Sequence, residues 1–344
     1  MWIYLLVLAI PLVMSFQAPR RRNLQVGLVA YYLLLWLFVG LRHEVGPDWP
    51  AYGYMYEAAV ANDWNEIAND REPGFFLINK LSNAFGWGFY GVNAIGAVLF
   101  LGGVYRFATR TANAWLATAA VVPFLVFIIS MSGVRQAAAL GIVFALLADW
   151  DKAGMARKVI VIGLAAAVHN SALFILVFIL WDGSRYPWLR IALGSLALLV
   201  GVRVLDQSGA TDVYAQRYLE KNVESGGAFY HVALSSFPAL TYLVFRKQIA
   251  AHGWASPLML RASLVAIALL PLVLVSSTGT SRLALYLSFV QMWVFPAFVA
   301  AHGRRWVGGT GICVVYFLAI FVVYFTLGTH AGKYIPYWNV LWNW

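Results

Sequence analysis

Charge is scarce in this 344-residue chain: Asp, Glu, Lys and Arg together make up 11%, against 62% hydrophobic residues. Water cannot be the main solvent for that composition, which excludes an ordinary soluble domain. Cysteine is scarcer still. Cys313 stands alone inside an apolar run, so no intramolecular disulfide forms and a thiolate nucleophile would be badly placed. No second His or Cys stands at ligand spacing from His169, which leaves a zinc site without a basis. A repeat of about 20–50 residues, low-complexity tracts and a soluble linker are also missing.

What is present is a succession of apolar runs of about 18 residues or more, enough to cross ~30 Å of hydrocarbon as a helix. They predict one all-α, polytopic membrane domain over 1–344. The net charge of +10 sits in short basic clusters between those runs, as membrane topology requires, so it implies a lipid bilayer and no nucleic acid. Trp87, Tyr90, Trp181 and Trp188 near run ends fit interfacial anchoring. The first run, Met1 to Phe16, lacks a basic leader and precedes Arg20, Arg21 and Arg22; it reads as a first helix rather than a cleaved signal.

Placing Arg20 to Arg22 in the cytoplasm makes 42–87 an external loop with an interfacial helix near 71–81. Arg106, Arg110, Lys152, Arg157 and Lys158 then fall inside. The run 159–181 is interrupted by His169, Asn170 and Ser171 and decides the parity of all that follows. A single crossing puts Arg185/Arg190, Arg246/Lys247/Arg261 and Arg304/Arg305 outside, whereas a re-entrant or broken hairpin puts them all inside. The hairpin is the preferred reading, although its 23 residues fall short of the roughly 40 that two crossings need. Helices near 189–205, 230–245, 261–276, 283–301 and 306–325 bring the total to about ten transmembrane helices, with a second external loop at 206–229.

This topology gathers Arg42, Asp48, Glu72, Arg135, His169, Arg282 and the tail around Tyr334 to Tyr337 on the outer face. Each has a structural alternative. Arg42 either clamps a phosphate with its planar fork or snorkels at a helix end; Asp48 either takes a proton or stabilises a turn, with Tyr52 following. Glu72 precedes Pro73 and serves either as a helix cap or as a catalytic carboxylate. Arg135 opens a helix, where an anion is favoured and a buried charge needs a partner. His169 is a general base or a hydrogen-bonded structural histidine. Arg282, with Tyr286 one turn later, offers a second phosphate contact. Tyr334 and Tyr337 either stack on sugar rings or anchor the interface. Asp149-Trp150-Asp151 looks like a metal-holding carboxylate pair, yet at a cytoplasmic helix end it reads as a solvated loop.

Gly40-Leu41-Arg42, Val45-Gly46-Pro47-Asp48 and Tyr52, then Glu72-Pro73-Gly74-Phe75, Val134-Arg135-Gln136 and His169-Asn170-Ser171-Ala172-Leu173 resemble, in that order, the EpsG family, related to the Wzy polysaccharide polymerases. Arg282 with Tyr286 and the closing Tyr334-Ile335-Pro336-Tyr337-Trp338-Asn339 extend the likeness over nearly the whole chain. The resemblance implies a multi-pass bacterial inner-membrane polymerase of GT-C-like architecture. Such an enzyme joins undecaprenyl-diphosphate-linked oligosaccharides into surface or exopolysaccharide on the periplasmic side, without a nucleotide sugar; because the lipid diphosphate is already a good leaving group, the chemistry demands no cofactor or metal. It implies catalytic roles for Glu72, Asp48 and His169 and diphosphate binding by Arg42, Arg135 and Arg282. Gln136, Tyr52, Tyr286, Tyr334 and Tyr337 would position sugar, and a flippase and a chain-length regulator would be pathway partners. The rival readings are a transporter of the lipid-linked sugar, which predicts internal repeats, a membrane acyltransferase using His169, and a scaffold.

Overall fold

The computed structural model describes residues 1–17, 22–68, 70–181, 226–274, 276–302 and 306–342, with isolated positions between 188 and 199. Their regular structure is helical, apart from one β-bridge between Arg42 and Asn339. In chain order the helices are α1 (Trp2–Met14), α2 (Arg22–Gly40), α3 (Trp49–Ala61), α4 (Pro73–Ala84), α5 (Gly88–Ala108) and α6 (Ala114–Ser132). They continue as α7 (Val134–Leu147), α8 (Met155–Val168), a 3-10 helix (Asn170–Trp181), α9 (Gly226–Ala251) and α10 (Pro257–Leu272). The last are α11 (Ser277–Leu285), α12 (Phe289–Ala301) and α13 (Trp306–Leu327).

Among the described residues four helices, α5, α6, α9 and α13, are long and apolar enough to cross a membrane, or five if α11 and α12, bent by 47°, count as one broken span. This is a membrane protein; the ten spans that the apolar runs predict are not all represented by full-length helices among the described residues. Helices α1 and α7 have 13 and 14 residues and rise only ~20 Å at 1.5 Å per residue. The expected helix at 189–205, the loop 206–229 and the side chains of Arg185, Arg190, Arg304 and Arg305 lie outside the described residues.

The run 159–181 turns back on itself. His169 leaves α8 with an extended backbone, φ −155° and ψ 116°, and the 3-10 helix follows. Its far end returns to the level where α8 began: Phe178 and Lys158 both pack on Trp150, at 6.3 Å between ring centroids and 4.4 Å from ammonium to indole. A 3-10 helix rises about 2 Å per residue, so twelve residues reach ~24 Å where an α-helix would reach ~18 Å. The tighter winding lets a short segment come back the full length of α8.

Two glycines set the position of α7. A Cβ on Gly103 would stand 1.8 Å from the carbonyl oxygen of Gly141, and one on Gly141 2.1 Å from that of Leu99. Helices α5 and α7 therefore meet backbone to backbone, the close approach that small residues permit in a membrane. Gly141→Leu must push them apart, and overpacking of this kind costs about 1–3 kcal/mol or more. The expected result is loss of the monodisperse peak in size-exclusion chromatography of the solubilised protein.

The segment 42–87 holds two helices, α3 and α4, where the sequence reading has one. The Lys80 ammonium ties them, donating to the carbonyls of Val60 and Asn62 at the end of α3 and lying 5.6 Å from the Trp64 ring. The C-terminal tail then threads back through the first loop. Gly46 N–H donates to Lys333, His43 N–H to Trp338 and Val340 N–H to Leu41, all at 2.9–3.0 Å.

Candidate active site

Glu72 is the centre of the polar chemistry. It stands at the N-terminal end of α4 without bonding that helix's own N–H groups, so both carboxylate oxygens are available to other elements. Oε2 accepts from Arg135 Nη1 at 2.5 Å, and Oε1 meets His169 Nδ1 at 2.6 Å and the Asn170 main-chain N–H at 3.2 Å. Three distant stretches thus converge: the start of α4, the first turn of α7 and the break between α8 and the 3-10 helix. Gly74 allows it. A Cβ there would lie 2.9 Å from the Ala167 carbonyl carbon, so α4 rests directly on the end of α8. Gly74→Val is expected to separate Glu72 from His169 and cut turnover at least about tenfold with little loss of membrane protein, checked by activity per unit of folded enzyme.

Burial favours the neutral form of Glu72, but the hydrogen bond and charge of His169, the Arg135 guanidinium and the Asn170 N–H outweigh it and hold the carboxyl below the usual glutamate range. An ionised carboxylate only accepts, so His169 donates to it from Nδ1–H, and whenever the ring is neutral its Nε2 carries the lone pair. Because the folded value is depressed, the cluster's contribution to stability is complete above the unfolded glutamate value and is lost as pH falls through the folded one. The stability difference between wild type and Glu72→Gln should therefore shrink below about pH 4, read from melting temperatures across a pH series.

Arg135 is 30% exposed through its side chain and lies 5.7 Å from the rings of both Tyr52 and Phe75. Its Nε is buried and has no hydrogen-bond partner among the described residues. The Tyr52 hydroxyl accepts from the Arg135 main chain at 3.4 Å. Asp48, exposed at the start of α3, accepts from the Ser132 hydroxyl just before α7. Gln136 donates to the carbonyl of Arg282 at 3.1 Å, and Ser171 bonds the hydroxyl of buried Tyr286 at 3.1 Å. The Arg282 side chain is exposed and has no carboxylate partner among the described residues.

Other expected site residues are spent on structure. Arg42 is 1% exposed, and its Nε and Nη1 donate to the carbonyls of Val45, Met131 and Val39 at 2.7–3.3 Å. That places it as a tie between the first loop and the end of α6, not on an open surface. Tyr334 is buried with its hydroxyl on the Ile128 carbonyl, and Tyr337 stacks on Phe38 at 4.2 Å with its hydroxyl on the Phe38 carbonyl. Neither presents a free face to a sugar. Asp149, read as solvated loop, pairs with Arg106 and Arg110.

Sequence reading missed the Asn170 N–H, Ser132 and Asp70, whose Oδ1 accepts the Glu72 main-chain N–H at 2.7 Å. The signal for Asn170 is its place beside His169, since a helix that breaks at a histidine exposes the next N–H. Among the described residues no three His, Cys, Asp or Glu side chains gather as metal ligands would.

Comparison with curated proteins and with solved structures returns no match. The model of the EpsG family matches residues 26–339, a range that takes in every residue placed in this site, and the chain belongs to that family.

Proposed function

We propose that this chain polymerises undecaprenyl-diphosphate-linked oligosaccharide repeats into bacterial surface or exopolysaccharide at the periplasmic face of the inner membrane, as a GT-C-like glycosyltransferase. The observation that carries the reading is the Glu72–His169 pair, with Arg135 on the same carboxylate. An acceptor hydroxyl of the incoming repeat attacks the anomeric carbon of the growing chain. The bond from that carbon to the diphosphate oxygen breaks as the new glycosidic bond forms, and the hydroxyl proton passes to His169 Nε2. Glu72 then faces an imidazolium and stabilises it, the task of a carboxylate behind a basic histidine.

Charge building on the diphosphate needs cations that are not already neutralised. Arg135 shares its charge with Glu72, whereas Arg282 is exposed and unpaired among the described residues, so Arg282 takes the larger share of the leaving group. Arg42 contributes by holding the first loop in place, and Asp48, Tyr52 and Gln136 line the approach. Arg282→Ala is expected to lower turnover by about 10²–10³-fold at normal protein level, with Arg282→Lys recovering part of it.

The deciding experiment reconstitutes the purified protein with a lipid-linked repeat from its own host. A product ladder from this protein alone is expected. Transbilayer movement of that lipid without a ladder would replace the polymerase with a transporter.

A further inference from the structure

A second histidine bonds α11 on a different face from the one tied to the Glu72 cluster, and the reaction above does not use it. On one face Gln136 and Ser171 bond Arg282 and Tyr286, as described. On the other the Ser281 hydroxyl meets His231 Nδ1, and the Ser235 hydroxyl donates to the Ala284 carbonyl at 2.9 Å. Both of these contacts come from the first three turns of α9, so α9 and α11 run side by side from their starts. The His231 ring lies 4.6 Å from that of Phe124, in a stretch of α6, Val122–Ile129, wound as a π-helix, a form found mostly at functional sites.

Hydrogen-bond accounting fixes the tautomer of His231. Ser281 is buried, and Nδ1 is the one partner of its hydroxyl among the described residues. A buried hydroxyl hydrogen without an acceptor is costly, so Ser281 donates and Nδ1 accepts. The proton of the neutral ring then sits on Nε2. That nitrogen has no partner among the described residues and lies 4.0 Å from where a Cβ on the exposed Gly227 would stand. The imidazole thus carries its N–H at the exposed start of α9. His169 is the opposite case, since its carboxylate partner holds the proton at Nδ1 and the neutral ring has its lone pair at Nε2.

Arg282 follows Ser281 directly, so its exposed side chain leaves α11 one residue from the partner of this donor. No carboxylate pairs with Arg282 or His231 among the described residues. A cation and a directed N–H that nothing neutralises suit a ligand with anionic oxygens on more than one phosphorus. We infer that His231 Nε2–H binds the lipid diphosphate together with Arg282, one phosphate on the guanidinium and the other on the imidazole. The inference rests on the polymerase reading for the diphosphate at Arg282. It gives the two histidines opposite tasks: His169 accepts the proton of the attacking hydroxyl, and His231 donates a hydrogen bond to the group that leaves.

The test titrates the full solubilised chain calorimetrically with farnesyl diphosphate and with farnesyl monophosphate. Wild type is expected to prefer the diphosphate by about tenfold, the factor a hydrogen bond to a charged group supplies. His231→Phe, which keeps a ring against Phe124, should cut that preference to about twofold, and His231→Gln, with an amide N–H in reach of the same place, should recover part of it. The double variant His231→Phe/Ser281→Ala leaves no buried hydroxyl without an acceptor, so it keeps the test decisive if His231→Phe fails to fold. Equal weakening toward both ligands assigns His231 to packing and overturns the inference. So does an unchanged preference in every His231 variant, or a wild type that binds both ligands equally or neither. A product ladder from wild type in any of those cases leaves the polymerase reading standing. A preference set by His231 without a ladder keeps the diphosphate site and removes the polymerase.

Discussion

Glu72→Gln is expected to lower polymer formation by about 10²–10⁴-fold while the protein still accumulates in the membrane. The amide keeps the size of the side chain but loses the negative charge that faces Arg135 and the second acceptor that orients His169. One of its two polar atoms becomes a donor, pointing either at the Arg135 guanidinium or at the imidazole N–H, 2.5 and 2.6 Å away in the wild type. His169 then loses the partner that fixes its tautomer and its rotation. His169→Ala should cost a similar factor, and the double variant little more, because both substitutions disable one unit. Ladder formation by reconstituted single and double variants measures this. Fully additive losses would show that the two residues act separately.

Arg42→Ala is expected to act on the fold. Its guanidinium closes the space between three backbone carbonyls and lies 5.5 Å from the Trp49 ring, with Asn339 bridged to the same residue's backbone. Alanine leaves those carbonyls buried without donors, a loss on the order of 3–5 kcal/mol. The first loop and the tail that threads it should loosen together. The solubilised variant is therefore expected to melt at a lower temperature and to be cut by protease within 331–342, unlike Arg282→Ala. Arg42→Lys should not restore it, since a single ammonium cannot span the carbonyls of Val39, Val45 and Met131. A wild-type melting temperature with abolished activity would return Arg42 to the diphosphate.

Arg42 and Arg135 look alike in the chain: each sits at the end of an apolar run beside a glycine, and each fits an anion site. Which one faces carbonyls and which one faces a carboxylate depends on what the bundle packs against it, and no local pattern records that. Tyr334 and Tyr337 are a similar case, because an aromatic tail reads the same whether it meets sugar, lipid or the first loop.

Composition and patterning alone make the chain helical and membrane-embedded, interrupt the run 159–181 with polar residues at His169, and mark Glu72, Arg135 and His169 as polar exceptions in apolar surroundings. Those features follow from local composition and from the cost of placing charge in hydrocarbon. Packing between helices settles that the leg after His169 winds as a 3-10 helix and returns to Trp150, and that Gly74 and Gly141 let backbones touch. It also brought the three polar exceptions onto one carboxylate. Such contacts join residues up to 98 positions apart, and their energies depend on close packing between helices, which a one-dimensional pattern of apolar runs does not contain.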